Sequence, residues 1–553
     1  MDQGAAHDQL LVGPLLRYVG HNDATIWVET RNACTVDILG RSADTFEVEG
    51  HHFALVCIDG LDRSVEHPYE VRLDGVTAWP PPDYPFPQPR IRLMPDPGNL
   101  RLLFGSCRAS APHHPPYTYK GWWHPKGKGI DVLQTYGMRM LRQPSALWPD
   151  ALMMMGDQLY ADDVPATVAE EVAGRRVHPD GPVEVLEDFT EYCTGYRDAW
   201  TDPIVRWMLS TVPTSMMFDD HEINNEWNIS RHWLEQMRAT SWYEDRVLGG
   251  LMAYWVYQHL GNLSPQELAE EETYQRICQT RDGTALLRDM AEQAESDEGL
   301  SRFSYCHDFG DARLIMMDAR TGRQLEPGKR QMMTDDEWEW IRDRADGDYQ
   351  HLLLASSLPF LLPSGLQDTE AWAEAVGDRA WGKRMCGVAE KIRRTADMDH
   401  WAAFQRSYRE FEELVIDVAT GKRSEPPATV LMFGGDVHHC WVSEVSLPDD
   451  VPPARSKIWQ MVCSGFRKDL RINERIPLLF GHTRVAALLG RALLATTRVG
   501  RPRLRWAPVT KPHFRNQIGT LEIAGGEVGV RMEEVTGNWR KPRLVTVIEH
   551  KLL

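Results

Sequence analysis

Five apolar runs in this 553-residue chain stop on residues that bind metals or anions. Leu102–Arg108 ends on Cys107 and Arg108, and Met153–Tyr160 ends on Asp157 and Tyr160. Ser215–Asn225 delivers Asp219, Asp220, His221, Asn224 and Asn225. Leu314–Arg320 delivers Asp318 and Arg320, and Val430–His439 delivers Asp436, His438 and His439. A short apolar run closed by glycine, such as Ala151–Gly156, suits a strand buried on both faces. Residues just past the C-terminal ends of such strands are where open α/β sheets place their ligands. One such ending is equally well explained by a strand followed by an acidic turn, but the recurrence predicts convergence. Strands of one sheet end side by side, and carboxylates, imidazoles, an amide and a phenol gathered there repel or go unsatisfied unless cations sit among them. Mixed oxygen, nitrogen and sulfur donors suit iron, manganese or zinc, with calcium at an all-oxygen position. Two ions about 3.5–4 Å apart clamp a phosphate and activate water as the nucleophile, which points to a metallohydrolase.

The elements that must position these residues read as follows. Apolar strands at 101–104, 151–155, 215–218, 313–317, 351–355, 429–433 and 458–462 alternate with helical stretches near 185–210, 232–260, 265–295, 335–346 and 370–418. That alternation predicts an α/β (α+β) domain with sheets between helices. Earlier, β-branched and aromatic segments at 24–30, 35–39, 53–58 and 69–73, separated by Gly, Asn and Asp, have the spacing of a β-sandwich. A run of prolines from Pro80 to Pro97 stiffens a linker and forbids a central strand. The expected division is therefore an N-terminal β-sandwich of fibronectin or immunoglobulin type over 1–90 and a catalytic domain with helical insertions over 98–553. Near the end, Gln517–Ile523 and Val528–Met532 flank Gly525-Gly526, a hairpin signal. Insertions at 111–150, 165–200 and 365–400 are expected to shape the pocket.

Composition bounds the function. An apolar fraction of 42% with 25% charged residues is that of a soluble globular protein. A net charge of −19 argues against dedicated nucleic-acid binding and against docking on an anionic membrane. It does not oppose a phosphate substrate, because bound ions reverse the local potential. Nine scattered cysteines give no disulfide framework and suggest a reducing compartment. No secretory signal or twin-arginine leader is visible, so the expected location is the cytoplasm. Composition does not indicate an oligomeric state.

Gly156-Asp157-Gln158-Leu159-Tyr160, Asp219-Asp220-His221-Glu222-Ile223 and Gly435-Asp436-Val437-His438-His439 stand in this order, with Gly105-Ser106-Cys107-Arg108 before them and Asp318-Ala319-Arg320 between. Together they resemble the signature of the alkaline phosphatase D (PhoD-like) family of metallophosphatases, over roughly 10–535. They also parallel the Gly-Asp-x-x-Tyr, Gly-Asn-His-Glu and Gly-His-x-His blocks of purple acid phosphatases. The resemblance implies a four-layer metallophosphatase sandwich of central mixed β-sheets flanked by helices, preceded by a small β-sandwich. It implies hydrolysis of phosphodiesters or phosphomonoesters, on a small-molecule or polymeric phosphate ester, by water activated at a multinuclear centre of Fe3+ and Ca2+, with Mn2+ or Zn2+ as alternatives.

Carried over by motif, Asp157 bridges the metals, and Cys107, Tyr160 and His438 complete a ferric-type site. Asp220 and Asp436 stand where purple acid phosphatases have Asn and His, and their hardness favours calcium or manganese at the second position. Asn224 or Asn225 is a further ligand. His221 touches the phosphate or protonates the leaving oxygen, and Arg108 and Arg320 grip the phosphate through their planar forks. Cys107 read alone fits the commonest fate of a cysteine, a buried structural thiol, and Arg108 beside it with the intact motif favours ligation. The alternative to the enzyme is a catalytically silent member of the family that binds a ligand or partner; the near-complete ligand set argues against it. The missing twin-arginine leader departs from exported members of the family.

Overall fold

The computed structural model describes residues 3–175, 178, 180–296 and 302–553. Residues 1–2, at the start of the expected N-terminal domain, and 176, 177 and 179, within the expected insertion at 165–200, lie outside the described residues. Two mixed sheets form the centre. The six-stranded sheet runs in the order Thr214–Met217, Ala151–Met155, Asn99–Gly105, Gln517–Ala524, Glu527–Asn538, Lys541–Lys551. Its first three strands are parallel and the rest antiparallel. The seven-stranded sheet runs Tyr305–Phe309, Ala312–Met317, His351–Ser356, Thr429–Gly434, Lys457–Cys463, Cys440–Ser446, Arg505–Pro508. A parallel block from Ala312–Met317 to Lys457–Cys463 is bordered by antiparallel strands.

The inner strands Ala151–Met155, His351–Ser356 and Thr429–Gly434 are buried along their whole length, because each is covered on both faces. The sheets meet through their side chains: the Phe104 ring abuts Phe433 edge-on with centroids 4.9 Å apart. Helices close the outer layers, Val132–Met140 lying on Lys541–Lys551 and Asp335–Arg344 on Ala312–Met317. This is the expected four-layer arrangement. The C-terminal hairpin forms with Gln517–Ala524 antiparallel to Glu527–Asn538. Gly525 and Gly526 turn it at φ 58° and 90°, a conformation that favours glycine.

The helical expectations are divided more finely in the structure. The stretch near 370–418 is three helices, Ser364–Gly377, Lys383–Thr395 and Gln405–Thr420. Gly382, at φ 84°, precedes the second of them. Five helices have no counterpart in the sequence reading: Gln3–Gln9, Val132–Met140, Ala166–Val172, Ile472–Gly481 and Arg484–Leu494. Among the described residues no helix is long and apolar enough to cross a membrane.

The N-terminal strands build two four-stranded antiparallel sheets, Leu10–Val19, Ala24–Thr30, His51–Ile58, Phe46–Val48 and Arg41–Asp44, Thr35–Ile38, Val71–Leu73, Val76–Trp79. They are locked onto the rest of the chain by one buried guanidinium. Arg17 donates to Thr214 O at 2.9 Å, Tyr257 O at 2.7 Å, Gln258 O at 2.7 Å and Asn262 Oδ1 at 3.1 Å. Each nitrogen of the guanidinium fork thereby meets an acceptor, which is what lets an arginine be buried. The proline run lies along Pro203–Leu209, where Trp207 Nε1 donates to Pro87 O at 2.9 Å.

Candidate metal centre

The chemistry-bearing residues leave their strands in a backbone conformation that non-glycine residues seldom adopt. Cys107, Asp157, Asp436 and His438 have φ of 59°, 52°, 61° and 52°. Such residues cost of order 1–3 kcal/mol each and persist where the surroundings over-determine them, typically at functional sites. Gly156 (φ 106°) is required here, because a Cβ on it would lie 2.8 Å from Asp219 Cβ. Glu222 ties two strand ends together: it accepts from Asp157 N at 3.0 Å and Gln158 N at 2.7 Å in one, and from Asp219 N at 2.9 Å in the other.

The convergence spans two sheets, whereas strands of one sheet were expected to supply it. The parallel strands Asn99–Gly105, Ala151–Met155 and Thr214–Met217 deliver Cys107, Asp157, Asp219 and Asp220 from one sheet. Thr429–Gly434 delivers Asp436 and His438 from the other. One ligand-type atom from each of Asp157, Asp219, Asp220 and Asp436 lies within 4.8 Å of the other three. Cys107 with Asp157 and Asp436, and His221 with Asp157 and Asp220, form overlapping groups of the same tightness.

Burial first, and then mutual repulsion, raise the carboxyls of Asp157 and Asp436 above the usual range, with Asp220 acting on both. The Cys107 thiol is pushed well up by burial and by Asp157 and Asp436. Asp157 Oδ1, Asp219 Oδ2 and His438 Nδ1 are buried and meet no hydrogen-bond partner among the described residues. Orphaned acceptors beside crowded acids are the arrangement that a bound cation completes, so the donors present fit a metal centre.

His221 and Tyr160 line the same cluster. His221 Nδ1 contacts Asp162 Oδ1 at 2.8 Å and Oδ2 at 2.9 Å. Burial pushes this imidazole down, but Asp162 and Asp157 outweigh it and raise its pKa to about 10. The Tyr160 ring lies 4.4 Å from the His221 ring, its hydroxyl donates to Asp157 Oδ2 at 3.1 Å, and Lys468 Nζ sits 4.2 Å over its face. His438 is held well below the usual imidazole range by burial, Lys468 and His221, so it is neutral and able to ligate. Cys107 Sγ receives a hydrogen bond from Ser464 Oγ at 3.1 Å and lies 3.2 Å from Ser106 Oγ.

Two arginines are placed otherwise than expected. Arg108 turns its guanidinium away from the acids: Nε donates to Asp131 Oδ2 at 3.0 Å and Nη1 to Ala199 O at 2.6 Å. Its fork is satisfied by protein and is not free to grip a phosphate. Arg320 does face the cluster, but as a buried counter-ion. It pairs with Asp219 and Asp399, and lies 3.5 Å from Asp220 Oδ1 and 3.7 Å from Asp436 Oδ2. Asp318 forms the turn that aims it, accepting from Arg320 N at 2.8 Å. Asn224 is half-buried at the rim, its amide donating to Asn225 O at 2.8 Å. His439 points elsewhere, stacked between Trp441 at 4.6 Å and Phe514 at 5.0 Å, with Nε2 3.1 Å from His482 Nε2.

Residues to which the family resemblance assigned no role prove central. Asp219 and Glu222 stand at the Asp-x-x-Glu spacing of a capping box, a signal the sequence carried. Asp162 follows Tyr160 by two residues, just beyond the same strand end. Asp399 has no local signal at all, and Lys468 stands out only as one of the basic residues between Arg467 and Arg475.

Comparison with known proteins adds the following. A family model described as PhoD-like phosphatase matches residues 131–470, which include Asp157, Asp220, His221, Asp436 and His438 and leave Cys107 and Arg108 outside. A second, described as a domain of unknown function (DUF7800), matches residues 7–91. A solved structure titled "Structure of PhoD" superposes with a TM-score of 0.60 at 12% identity, over 99% of this chain and 92% of its own, a likeness of fold. A maltogenic amylase from S. marinus superposes with a TM-score of 0.16 at 8% identity, over 97% and 78% of the two chains, too low to carry an argument. No curated protein matches the sequence.

Proposed function

This chain belongs to the PhoD-like phosphatase family, and from that premise we propose that it is a metal-dependent phosphoesterase acting on phosphodiesters or phosphomonoesters. The observation that carries the reading is the meeting of Asp157, Asp219, Asp220 and Asp436 within 4.8 Å, with buried oxygens of Asp157 and Asp219 left without partners. Cys107, Tyr160, His438 and Asp157 would hold a ferric-type ion; Asp157, Asp220 and Asp436, with Asn224 at the rim, would hold calcium or manganese. When bound, the ions supply Lewis acidity, neutralising the acids and drawing charge from the phosphoryl oxygens.

The chain's own groups do the rest. Asp162 fixes Nδ1 of a charged His221, so Nε2 carries the proton that an alkoxide leaving group needs. Arg320 keeps the acids at fixed separation without touching the ester. Lys128 and Lys468, paired on Asp163, put positive charge at the rim and draw an anionic substrate in. All nine cysteines are free, which supports a reducing, cytoplasmic location.

Elemental analysis of purified protein, followed by a screen of chromogenic mono- and diesters, tests the reading. Stoichiometric metal with ester turnover is the expected result; a metal-free protein inert towards every ester after reconstitution would overturn it. A visible absorption band from tyrosinate-to-iron charge transfer tests the iron assignment separately, and a colourless, iron-free, active enzyme would remove that assignment alone.

A further inference from the structure

The helix Arg484–Leu494 buries Ala486, Gly490 and Leu494. Ala486 and Gly490 lie on Ser364–Gly377, where a Cβ on Gly490 would come 2.7 Å from Gly365 O. Its large aliphatics Val485, Leu488 and Leu489 face outward, Leu488 being 64% exposed. The preceding helix, Ile472–Gly481, repeats this. Ile472, Ile476, Leu479 and Phe480 share the i, i+4, i+7, i+8 stripe that a helix normally turns to its core, yet all four are exposed, Ile476 by 62%. Contiguous exposed apolar surface of this kind marks an interaction site.

Charge identifies the occupant. Over 467–505 there are ten Lys and Arg against two Asp and Glu, in a chain of net charge −19. Arg471, Arg475, Arg484 and Arg491 lie on or beside the two helices. Bulky aliphatics on one face with arginines around them are the pattern of helices that lie in a lipid interface, attracted by anionic headgroups. A second copy of the same face would set basic against basic, which opposes self-association. Next to the pair, Gly121 N donates to Asp469 Oδ2 at 3.1 Å and pins a loop bearing the exposed Trp122 and Trp123, the latter 72% accessible. Tryptophan is enriched at membrane–water interfaces, where its amphipathic ring sits at headgroup level.

We propose that the helices Ile472–Gly481 and Arg484–Leu494, with Trp122 and Trp123, seat this chain on an anionic phospholipid surface. Net charge alone suggests the opposite, but it averages over the whole molecule, whereas Arg471, Arg484 and Arg491 stand on or beside these two helices. His482, between the two helices, touches His439 next to His438, so a seated chain holds its acid cluster close to the headgroups. The proposal stands without the catalytic reading.

Flotation of the full chain with vesicles of phosphatidylcholine alone, or mixed with phosphatidylglycerol, tests it. The wild type floats with the anionic vesicles and not with phosphatidylcholine alone, and salt weakens the association. I476S/L488S/L489S lowers the affinity by about tenfold or more, and R484Q/R491Q lowers it several-fold, both with unchanged melting temperature and ester turnover. Failure of the wild type to float with anionic vesicles overturns the proposal, as does undiminished flotation of the triple serine variant. A wild-type dimer in sedimentation that the triple variant converts to monomer, with no vesicle association, also overturns it and assigns the face to self-association.

Discussion

Asp162 grips His221 Nδ1 with both carboxylate oxygens, at 2.8 and 2.9 Å, while Asn225 N donates to Asp162 at 2.7 Å and fixes it. The pair is a carboxylate–imidazole dyad set against the acid cluster, and the chemistry proposed for His221 depends on it. Asp162→Asn keeps the volume and removes the charge that outweighs burial. With metal content and melting unchanged, kcat should fall on the order of 10²-fold with KM little altered. A kcat equal to the wild type's would remove the dyad from the mechanism.

Asp157→Asn separates the metal reading from a purely structural one. The neutral isostere takes one charge out of a buried group of four acids. The metal-free protein should therefore melt no lower than the wild type, while retained metal and turnover both disappear. Loss of stability in the metal-free variant, with metal retained, would show that Asp157 serves the fold and not the ions.

Ser464→Ala tests Cys107. Ser464 donates to Cys107 Sγ at 3.1 Å, the contact expected of a residue that orients a ligating thiolate. Removing such a partner typically costs about 10–100-fold in metal affinity. Competition against a chelator reads that loss directly; unchanged affinity would return Cys107 to the role of a buried structural thiol.

Acid stability should report the pair formed by Arg108 and Asp131. Burial pushes the Asp131 carboxyl up, but Arg108, His113 and Arg467 outweigh it and leave it at about 2 against an ordinary 3.8. A carboxyl held below its unfolded value stabilises the fold above that value and stops doing so as pH falls through the folded one. Here the window runs from about pH 4 down to about pH 2, with about 2 kcal/mol at stake. Chemical denaturation at several acid pH values should show Asp131→Asn losing that slope; an identical slope in the variant would place the acid sensitivity elsewhere.

How much could be read beforehand follows from the range of the forces involved. The strand ends were legible because an apolar run and the ligands just beyond it lie within a dozen residues, and period and residue type are local properties. The helix Val132–Met140 was missed for a local reason: its N-cap, Asp131, reads as an ordinary loop acid until Gln134 N is seen donating to it at 3.1 Å. The exposed stripe at 472–494 escaped because periodicity reports which residues share a face and not whether anything covers that face.

Taken by itself, the sequence determined the order of the strand ends, the donor types at each and the broad α/β architecture, since these depend on neighbours along the chain. Only the tertiary structure decided which charges answer one another. Arg320 finds Asp219 and Asp399 at sequence separations of 101 and 79 residues, while Arg108, one residue from Cys107, turns to Asp131 and away from the acids. A guanidinium and a carboxylate interact through space at a few ångströms, and the folding of two sheets against each other sets that distance, whatever the spacing of the residues along the chain.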